Sequence, residues 1–126
     1  MENDGIRIIS LNDGTTDNRL QLYYSGSANK IICETKVASS TQASVQYVVS
    51  SQADIHKVAF KYKENDCALW INGTEVDTDF SVSALSVVNQ LEFSNYGGSV
   101  PFEGKVKQLQ VFKTALTDTE LATLTT

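Results

Sequence analysis

The stretch 56-HKVAFKYKENDCALWINGTEVDTD-79 indicates the fold of the chain most directly. Apolar and polar residues alternate through three short runs, a pattern that is typical of half-buried β-strands. The runs are separated by Glu64-Asn65 and by Asn72-Gly73, where two-residue hairpin turns would fit. The stretch therefore predicts three antiparallel strands over residues 56–63, 66–71 and 74–79.

These two turns also predict which residues of the three strands face one another. The expected facing sets all lie on one side of the sheet and are mostly apolar, so the register supports itself. The sets are Phe60, Leu69 and Val76; Val58, Ile71 and Thr74; and Tyr62 with Cys67.

The rest of the chain continues the same pattern of short strands. The intervening breaks are rich in Gly, Asn, Asp and Ser, which tolerate or stabilise turn conformations. A strand about every ten residues favours an all-β fold, a two-sheet antiparallel β-sandwich. The further predicted strands span residues 5–11, 18–24, 29–37, 43–50, 87–94 and 104–113.

One short helix is predicted at the C-terminal end, in the run TDTELATL. Thr117 and Glu120 have the spacing of a capping box, in which each side chain accepts a hydrogen bond from a free backbone N–H group. Leu116, Leu121 and Leu124 would pack this helix against the sandwich.

Composition limits the possible partners. The 126 residues suffice for one domain with a core of its own. Lys and Arg together number 10 against 15 Asp and Glu, and this net charge of -5 argues against nucleic acid as a partner. Apolar runs are too short to insert into a membrane, and the first residues do not resemble a signal peptide. Cys33 and Cys67 alternate in phase with apolar neighbours, which predicts buried free thiols, with a disulfide as the alternative.

Trp70 falls on the face opposite the apolar sets, with Ala59 on one flank and Glu75 on the other. Small neighbours would leave the indole exposed, and an exposed ring beside hydrogen-bonding groups suits a sugar. Trp70, Glu75 and Asp77 are therefore the first candidate ligand-binding residues. The alternative is that another segment covers this face and that Trp70 is a packing residue. Tyr96 is a further ligand-binding candidate, and Tyr23 and Tyr24 are weaker ones.

The acids of the same hairpin also suggest a metal site. In the expected register Asp66 lies opposite Asp79, where like charges repel. A Ca²⁺ ion bound by Asp66, Asp77 and Asp79, with Asn65 as a further ligand, would relieve that repulsion. The alternative is that water and the lysines at positions 61 and 63 screen the carboxylates.

A catalytic use of these acids is not expected. The run EVDTD resembles the E-x-D-x-E motif of laminarinase-type glycoside hydrolases, in which two glutamates on one face act as nucleophile and general acid–base. Asp79 stands where the motif has its second glutamate, and Glu75 follows almost directly on a tight turn. The sequence therefore predicts a protein that is not an enzyme.

The C-terminal run PFEGKVKQLQVFKTALTDTELATLT and the hairpin ALWINGTEV resemble the concanavalin A-like lectin/glucanase superfamily, in its laminin G-like jelly-roll form. RIISLNDGTTDNRLQLYY, residues 7–24, is similar to the start of such domains in bacteriophage tail-fibre proteins. The positions that carry the C-terminal resemblance are Phe102, Gly104, Val106, Leu109, Val111, Phe112, Ala115, Leu116, Thr117, Glu120, Leu121 and Leu124.

The resemblance implies a single domain over residues 1–126, the C-terminal part of a longer fibre protein. It implies a non-catalytic carbohydrate-binding module of the virion that attaches to bacterial surface polysaccharide, with other fibre chains as partners in a homotrimer. The alternatives are a structural or trimerisation module that binds no sugar, and a carbohydrate-binding domain of a bacterial extracellular or cell-surface protein. Such domains usually have a further strand before Ile6, so an open sheet edge is expected to invite pairing with another chain.

Overall fold

The computed structural model describes residues 6–26, 28–95 and 98–126. Every predicted strand except the last is found there, with its ends moved by a few residues. The strands are β1 (Arg7–Asn12), β2 (Arg19–Ser25), β3 (Lys30–Val37), β4 (Ser40–Val48), β5 (Val58–Lys61), β6 (Cys67–Ile71), β7 (Thr74–Asp79) and β8 (Gln90–Glu92), and the helix is α1 (Asp118–Thr125).

The strands form two antiparallel sheets, as predicted for a sandwich. One sheet has the order β4-β3-β2-β1-β8 and the other has the order β5-β6-β7. Alternate residues of each strand point between the sheets, because successive side chains of a strand lie on opposite faces. The buried core between the sheets contains Tyr24, Ile31, Cys33, Val45, Val49, Leu69 and Ile71.

Both predicted hairpin turns are confirmed. Asn72 and Gly73 have φ angles of 49° and 84°, the left-handed conformation that a tight two-residue hairpin loop needs at both positions. At the other turn the N–H of Asp66 donates to the carbonyl of Lys63 at 3.0 Å. These turns bring β5, β6 and β7 side by side in one sheet.

The two cysteines are free and buried, which confirms the expected apolar role. Cys33 lies in the core between the sheets, and Cys67 belongs to a smaller cluster with Ala43 and Val82. Burial raises the pKa of both thiols above the usual range. They therefore stay protonated at neutral pH and act as small packing residues.

The strand predicted over residues 104–113 is not formed. Within the described residues no strand pairs with this segment, and its large apolar side chains are exposed. Alternating composition gives a segment the tendency to become a strand, but a ladder also requires a neighbouring edge to receive its hydrogen bonds. The exposed side chains are Val106, Leu109, Val111 and Phe112.

The capping box of α1 is confirmed. The Thr117 hydroxyl accepts from the N–H of Glu120 at 3.3 Å, and the Glu120 carboxylate accepts from the N–H of Thr117 at 2.8 Å. These bonds satisfy two backbone donors that would otherwise have no partner at the helix start. In the described part of the chain no helix is long and apolar enough to cross a membrane.

Candidate functional site

Trp70 lies beneath α1, on the outer face of the three-stranded sheet. It faces Ala59 and Glu75, as the sequence predicted. Its side chain is only 8% exposed, because Leu121 of α1 packs against it with Leu116 nearby. The prediction of an exposed indole is therefore wrong, and the alternative, a packing residue covered by another segment, is what the structure shows. An alternating pattern identifies the two faces of a sheet without showing what lies on either.

The predicted register of β6 and β7 holds only for the first two pairs after the turn. Ile71 faces Thr74 and Trp70 faces Glu75, but the register then shifts and Leu69 faces Asp77. Val76 is the additional residue of this bulge, and it packs against the core between the sheets. A one-residue insertion changes the facing of every residue that follows it, because side chains alternate with a period of two.

The bulge separates the acids that were expected to form one patch. Glu75 is exposed on the outer face opposite Trp70, whereas Asp77 lies opposite Leu69. The Asp77 carboxylate accepts a hydrogen bond from the backbone N–H of Gln46 in β4, at 2.8 Å. This hydrogen bond joins β7, at the edge of the three-stranded sheet, to β4, at the edge of the five-stranded sheet. The proposed ligand-binding set of Trp70, Glu75 and Asp77 is not assembled on one surface.

The expected calcium ligands Asp66, Asp77 and Asp79 are not brought together either. Asp79 faces Cys67 instead of Asp66, because of the bulge, and its carboxylate accepts from the N–H of Ser81 at 3.1 Å. Among the described residues no group of three or more His, Cys, Asp or Glu is placed to hold a metal ion.

Lysines balance the charge of Asp66, as the alternative interpretation expected. The Lys61 ammonium lies 2.8 Å from the Asp66 carboxylate, and the Lys63 ammonium lies 3.9 Å from it. Lys61 also reaches Asp118 at the start of α1, at 3.3 Å. The acid at position 66 therefore helps to hold the helix over Trp70.

Asp77 has a structural use that can be measured. We expect Asp77→Ala to lower the free energy of unfolding by about 1 kcal/mol, because the N–H of Gln46 on the free edge of β4 loses a charged acceptor. Glu75→Ala is the matched control, since this side chain is exposed on the other face and its removal should change stability by less than about 0.5 kcal/mol. Urea denaturation measures both, and equal losses would contradict the assigned role.

The three tyrosine candidates have different outcomes. Tyr96 lies outside the described residues. Tyr24 is buried in the core between the sheets. Tyr23 points to the other side of the five-stranded sheet, where it is partly exposed in register with Ile8 of β1 and Ile32 of β3.

This outer side of the five-stranded sheet carries a polar surface that the sequence prediction did not single out. On β2 the apolar residues 20, 22 and 24 point to the core, so residues 19, 21 and 23 share the opposite face. The register continues this face onto β1, β3 and β8. We call it the polar face. Its residues are Ser10, Asn12, Arg19, Gln21, Tyr23, Glu34, Lys36, Gln90 and Glu92, with Ile8 and Ile32 on either side of Tyr23.

A row of hydrogen bonds crosses the middle of the polar face. The Gln21 amide donates to the Glu34 carboxylate at 2.9 Å, and the Ser44 hydroxyl donates to its other oxygen at 3.4 Å. Burial, and then the charge of Glu34 and a hydrogen bond with it, raise the pKa of the Tyr23 phenol. The phenol therefore remains a hydrogen-bond donor throughout the physiological pH range.

The chain after β8 crosses the polar face between its middle row and the end that carries Arg19. The Ser10 hydroxyl donates to the carbonyl of Ser94 at 2.7 Å, and one terminal nitrogen of Arg19 donates to the side-chain oxygen of Asn95 at 2.9 Å. This crossing explains why polar residues of an outer face are buried, with Gln21 only 6% and Arg19 only 9% exposed.

Two buried polar atoms of the polar face have no hydrogen-bond partner in the described part of the chain. They are the Nε of Arg19 and the amide oxygen of Gln21. Leaving a buried donor or acceptor unpaired costs about 1–3 kcal/mol, so folded proteins pair most of them. Gln52, His56 and Trp70 each hold one such atom as well. The polar face has two of them on successive positions of one strand face, together with the partly exposed ring of Tyr23, and it is therefore the candidate functional site.

The polar face can bind hydroxyl groups, but its carboxylates are poorly placed for glycoside hydrolysis. Glu34 on β3 and Glu92 on β8 are separated by three strand spacings, or about 14 Å between backbones. Hydrolases hold their two carboxyl groups about 5–9.5 Å apart. The signal that could have identified this face is the polar series Arg19, Gln21 and Tyr23 within the predicted strand 18–24.

A family model agrees with the observed sandwich. The Laminin_G_3 family model, described as Concanavalin A-like lectin/glucanases superfamily, matches residues 2–122. No curated protein matches the chain. A similar solved structure is the 2.1 Å crystal structure of an S-layer domain-containing protein, residues 221–444, from Clostridium thermocellum ATCC 27405, with 15% identity and a TM-score of 0.43.

The similarity to that structure covers 95% of this chain and 63% of the other, so the chain spans less than two thirds of that relative. The family model extends over nearly all of the 126 residues. The two antiparallel sheets and the short C-terminal helix have the architecture that this match implies. The chain belongs to the Laminin_G_3 family of the concanavalin A-like lectin/glucanase superfamily.

Proposed function

We propose that the chain is a non-catalytic carbohydrate-binding module and that it recognises a glycan on its polar face. The observation that carries this proposal is the partly exposed ring of Tyr23 beside the hydrogen-bonded side chains of Gln21 and Glu34 on the same face.

The side chains of the polar face suit a sugar in particular. A pyranose ring presents a C–H face that packs on an aromatic ring, while its hydroxyl groups point sideways to donors and acceptors. Tyr23 offers such a ring, and Gln21 and Glu34 lie in the neighbouring row with amide and carboxylate groups. The hydrogen bond between Gln21 and Glu34 fixes both side chains before a ligand arrives.

A non-catalytic role is supported by the placement of the acids. Glu75 and Asp77 of the hydrolase-like motif lie on opposite faces of the sheet, because the bulge at Val76 intervenes. Glu34 and Glu92 on the polar face are too far apart to act on one glycosidic bond.

The biological setting that we propose follows from the sequence resemblance over residues 7–24. In this setting the module belongs to a bacteriophage tail fibre in the virion, pairs with other fibre chains and attaches to a bacterial surface polysaccharide. A bacterial extracellular protein is the other setting compatible with the lectin-type family.

A glycan array of bacterial surface polysaccharides tests the function. We expect binding to at least one glycan, weakened about tenfold or more by Tyr23→Ala, because a stacking ring contributes about 1.4 kcal/mol or more. Tyr47→Ala is the matched control, since Tyr47 is 44% exposed and lies in register with Ile31 of the opposite face. The glycan affinity of the Tyr47→Ala variant should equal that of the native protein.

Three outcomes of the array would contradict the proposal. They are the absence of binding to every glycan, an equal loss in both tyrosine variants, and a loss in EDTA with none in Tyr23→Ala. The last result would place recognition at a metal site away from the polar face.

A structural or trimerisation role is the second candidate. It is favoured by the exposed apolar side chains of residues 104–113, which form no strand pair among the described residues. Analytical ultracentrifugation separates the two roles. A stable trimer that Val111→Asp dissociates, together with no glycan binding, would support the structural role.

A further inference from the structure

We infer that Arg19 and Lys36 form an anion subsite on the polar face, and that the recognised glycan carries a negatively charged group. A carboxylate, a phosphate or a sulfate has the required chemistry. This inference rests on the proposed glycan-binding function and adds the chemical class of the ligand.

The first observation is a pair of like charges placed side by side. Arg19 of β2 and Lys36 of β3 are direct partners in the antiparallel register, so their side chains leave the same face. Such partners have Cβ atoms about 5 Å apart, and like charges at that position destabilise a sheet. A chain with 10 cationic and 15 acidic residues has carboxylates in excess, yet none is placed between these two.

The second observation is that neither cation has an ionic partner. In residues 6–26, 28–95 and 98–126 no carboxylate lies within 4.0 Å of Arg19 or Lys36. Two other cations with little exposed side chain are paired: Lys61 lies 2.8 Å from Asp66, and Arg7 lies 3.2 Å from Glu103. Exposed lysines such as Lys105 and Lys107 also lack an ion pair with the described residues, but water surrounds them, so the missing counter-ion is unusual at the buried Arg19.

Burial makes the missing counter-ion at Arg19 costly. The residue is 9% exposed, its Nε has no hydrogen-bond partner, and one terminal nitrogen donates to the neutral side chain of Asn95. A guanidinium remains charged at any physiological pH, so it cannot avoid the cost of burial by losing a proton. A ligand anion next to Lys36 would neutralise the pair, and the forked guanidinium suits an oxyanion with two or three oxygens.

Glu34 does not fill this role. It lies two residues before Lys36 on the same face of β3, and its oxygens already accept from Gln21 and Ser44. The polar face thus has a cationic end, formed by Arg19 and Lys36, and next to it a row with Gln21 and Glu34 that binds hydroxyl groups.

The distance between the cationic end of the polar face and the Tyr23 ring favours an oligosaccharide as the ligand. Arg19 and Tyr23 are four residues apart on one strand, a distance of about 13 Å. A single small anion could occupy the cationic end alone, but contact with the Tyr23 ring as well requires several linked sugars.

The experiment uses an array in which each acidic glycan is printed beside its neutralised form. Uronates are paired with their carboxyl-reduced forms, and phosphorylated and sulfated glycans with their dephosphorylated and desulfated forms. We expect the protein to bind an acidic member, and we expect both neutralisation of that glycan and Lys36→Gln to weaken binding about tenfold. Lys107→Gln is the matched control, since Lys107 is exposed outside the sheets, and it should change affinity less than twofold.

The outcomes separate the two proposals. Equal binding of the charged and neutral forms, with Lys36→Gln unaffected, would overturn the anion subsite and leave glycan recognition standing. Absence of binding to every glycan would overturn the proposed function itself and the subsite with it. The pair of forms that differs in affinity identifies the anion as carboxylate, phosphate or sulfate.

Lys36→Gln is expected to fold, so weaker glycan binding by this variant would not be the result of unfolding. Lys36 is half-buried and donates no hydrogen bond to the described residues, and its removal relieves repulsion with Arg19. The melting temperature of Lys36→Gln is therefore expected to equal or exceed that of the native protein. Added NaCl should weaken binding of the acidic glycan in the native protein more than in Lys36→Gln.

Discussion

Trp70→Ala is expected to lower the free energy of unfolding by about 4 kcal/mol. The indole is nearly fully buried beneath α1, where it packs with Ala68 and Leu121. Its removal would leave a cavity between the helix and the sheet that small neighbours cannot fill. Urea denaturation followed by circular dichroism measures the change, because the chain has 1 tryptophan and the variant loses its fluorescence.

Trp70→Phe is the control for this variant, since a smaller aromatic ring retains much of the packing and should cost about 1–2 kcal/mol. Below its melting temperature the phenylalanine variant should bind glycan as tightly as the native protein. A loss of stability under about 1 kcal/mol for Trp70→Ala would contradict the assigned packing role. Loss of glycan binding in a stable Trp70→Phe protein would move the recognition surface away from the polar face.

Leu121→Ala is expected to lower the free energy of unfolding by about 3 kcal/mol. Leu121 is 4% exposed and connects α1 to Trp70, whereas Leu124 on the same helix is 41% exposed. An isolated helix of eight residues is unstable in water, so α1 depends on this contact with the sheet. Thermal and urea denaturation of Leu121→Ala measure the effect, with Leu124→Ala as the matched control at less than about 1 kcal/mol.

The effects of Leu121→Ala and Trp70→Ala on the free energy of unfolding should also be coupled. If the helix already detaches in Leu121→Ala, the double variant with Trp70→Ala should lose less stability than the two single losses added together. Equal losses in Leu121→Ala and Leu124→Ala would mean that α1 packs through a different face.

Local chemistry was sufficient to predict much of the fold. The Asn72-Gly73 dipeptide predicted a tight turn because both residues tolerate positive φ angles, and both have them. Thr117 and Glu120 predicted the helix start because the capping box involves residues only three positions apart. The alternating runs predicted most strands because this alternation, like the turn and the capping box, involves only residues that are close in the sequence.

The bulge at Val76 could not be predicted in this way. The run TEVDTD fits a regular strand as well as a bulged one, so its local pattern does not distinguish the two registers. The observed register is favoured by packing of Val76 on the core and by the hydrogen bond from Gln46 in the other sheet to Asp77. Both contacts join residues far apart in the chain, and they decide where every acid of this hairpin points.

The alternating pattern of the sequence is sufficient to predict which residues share a face of each strand, because side chains alternate with a period of two. Which of these faces are covered depends on tertiary contacts. α1 covers Trp70 and removes the expected binding surface, while the register of β2 and β3 brings Arg19, Gln21, Tyr23, Glu34 and Lys36 together. Periodicity is a local property of the sequence. The burial of a face and the distance between charged side chains depend on segments that are far apart in the sequence.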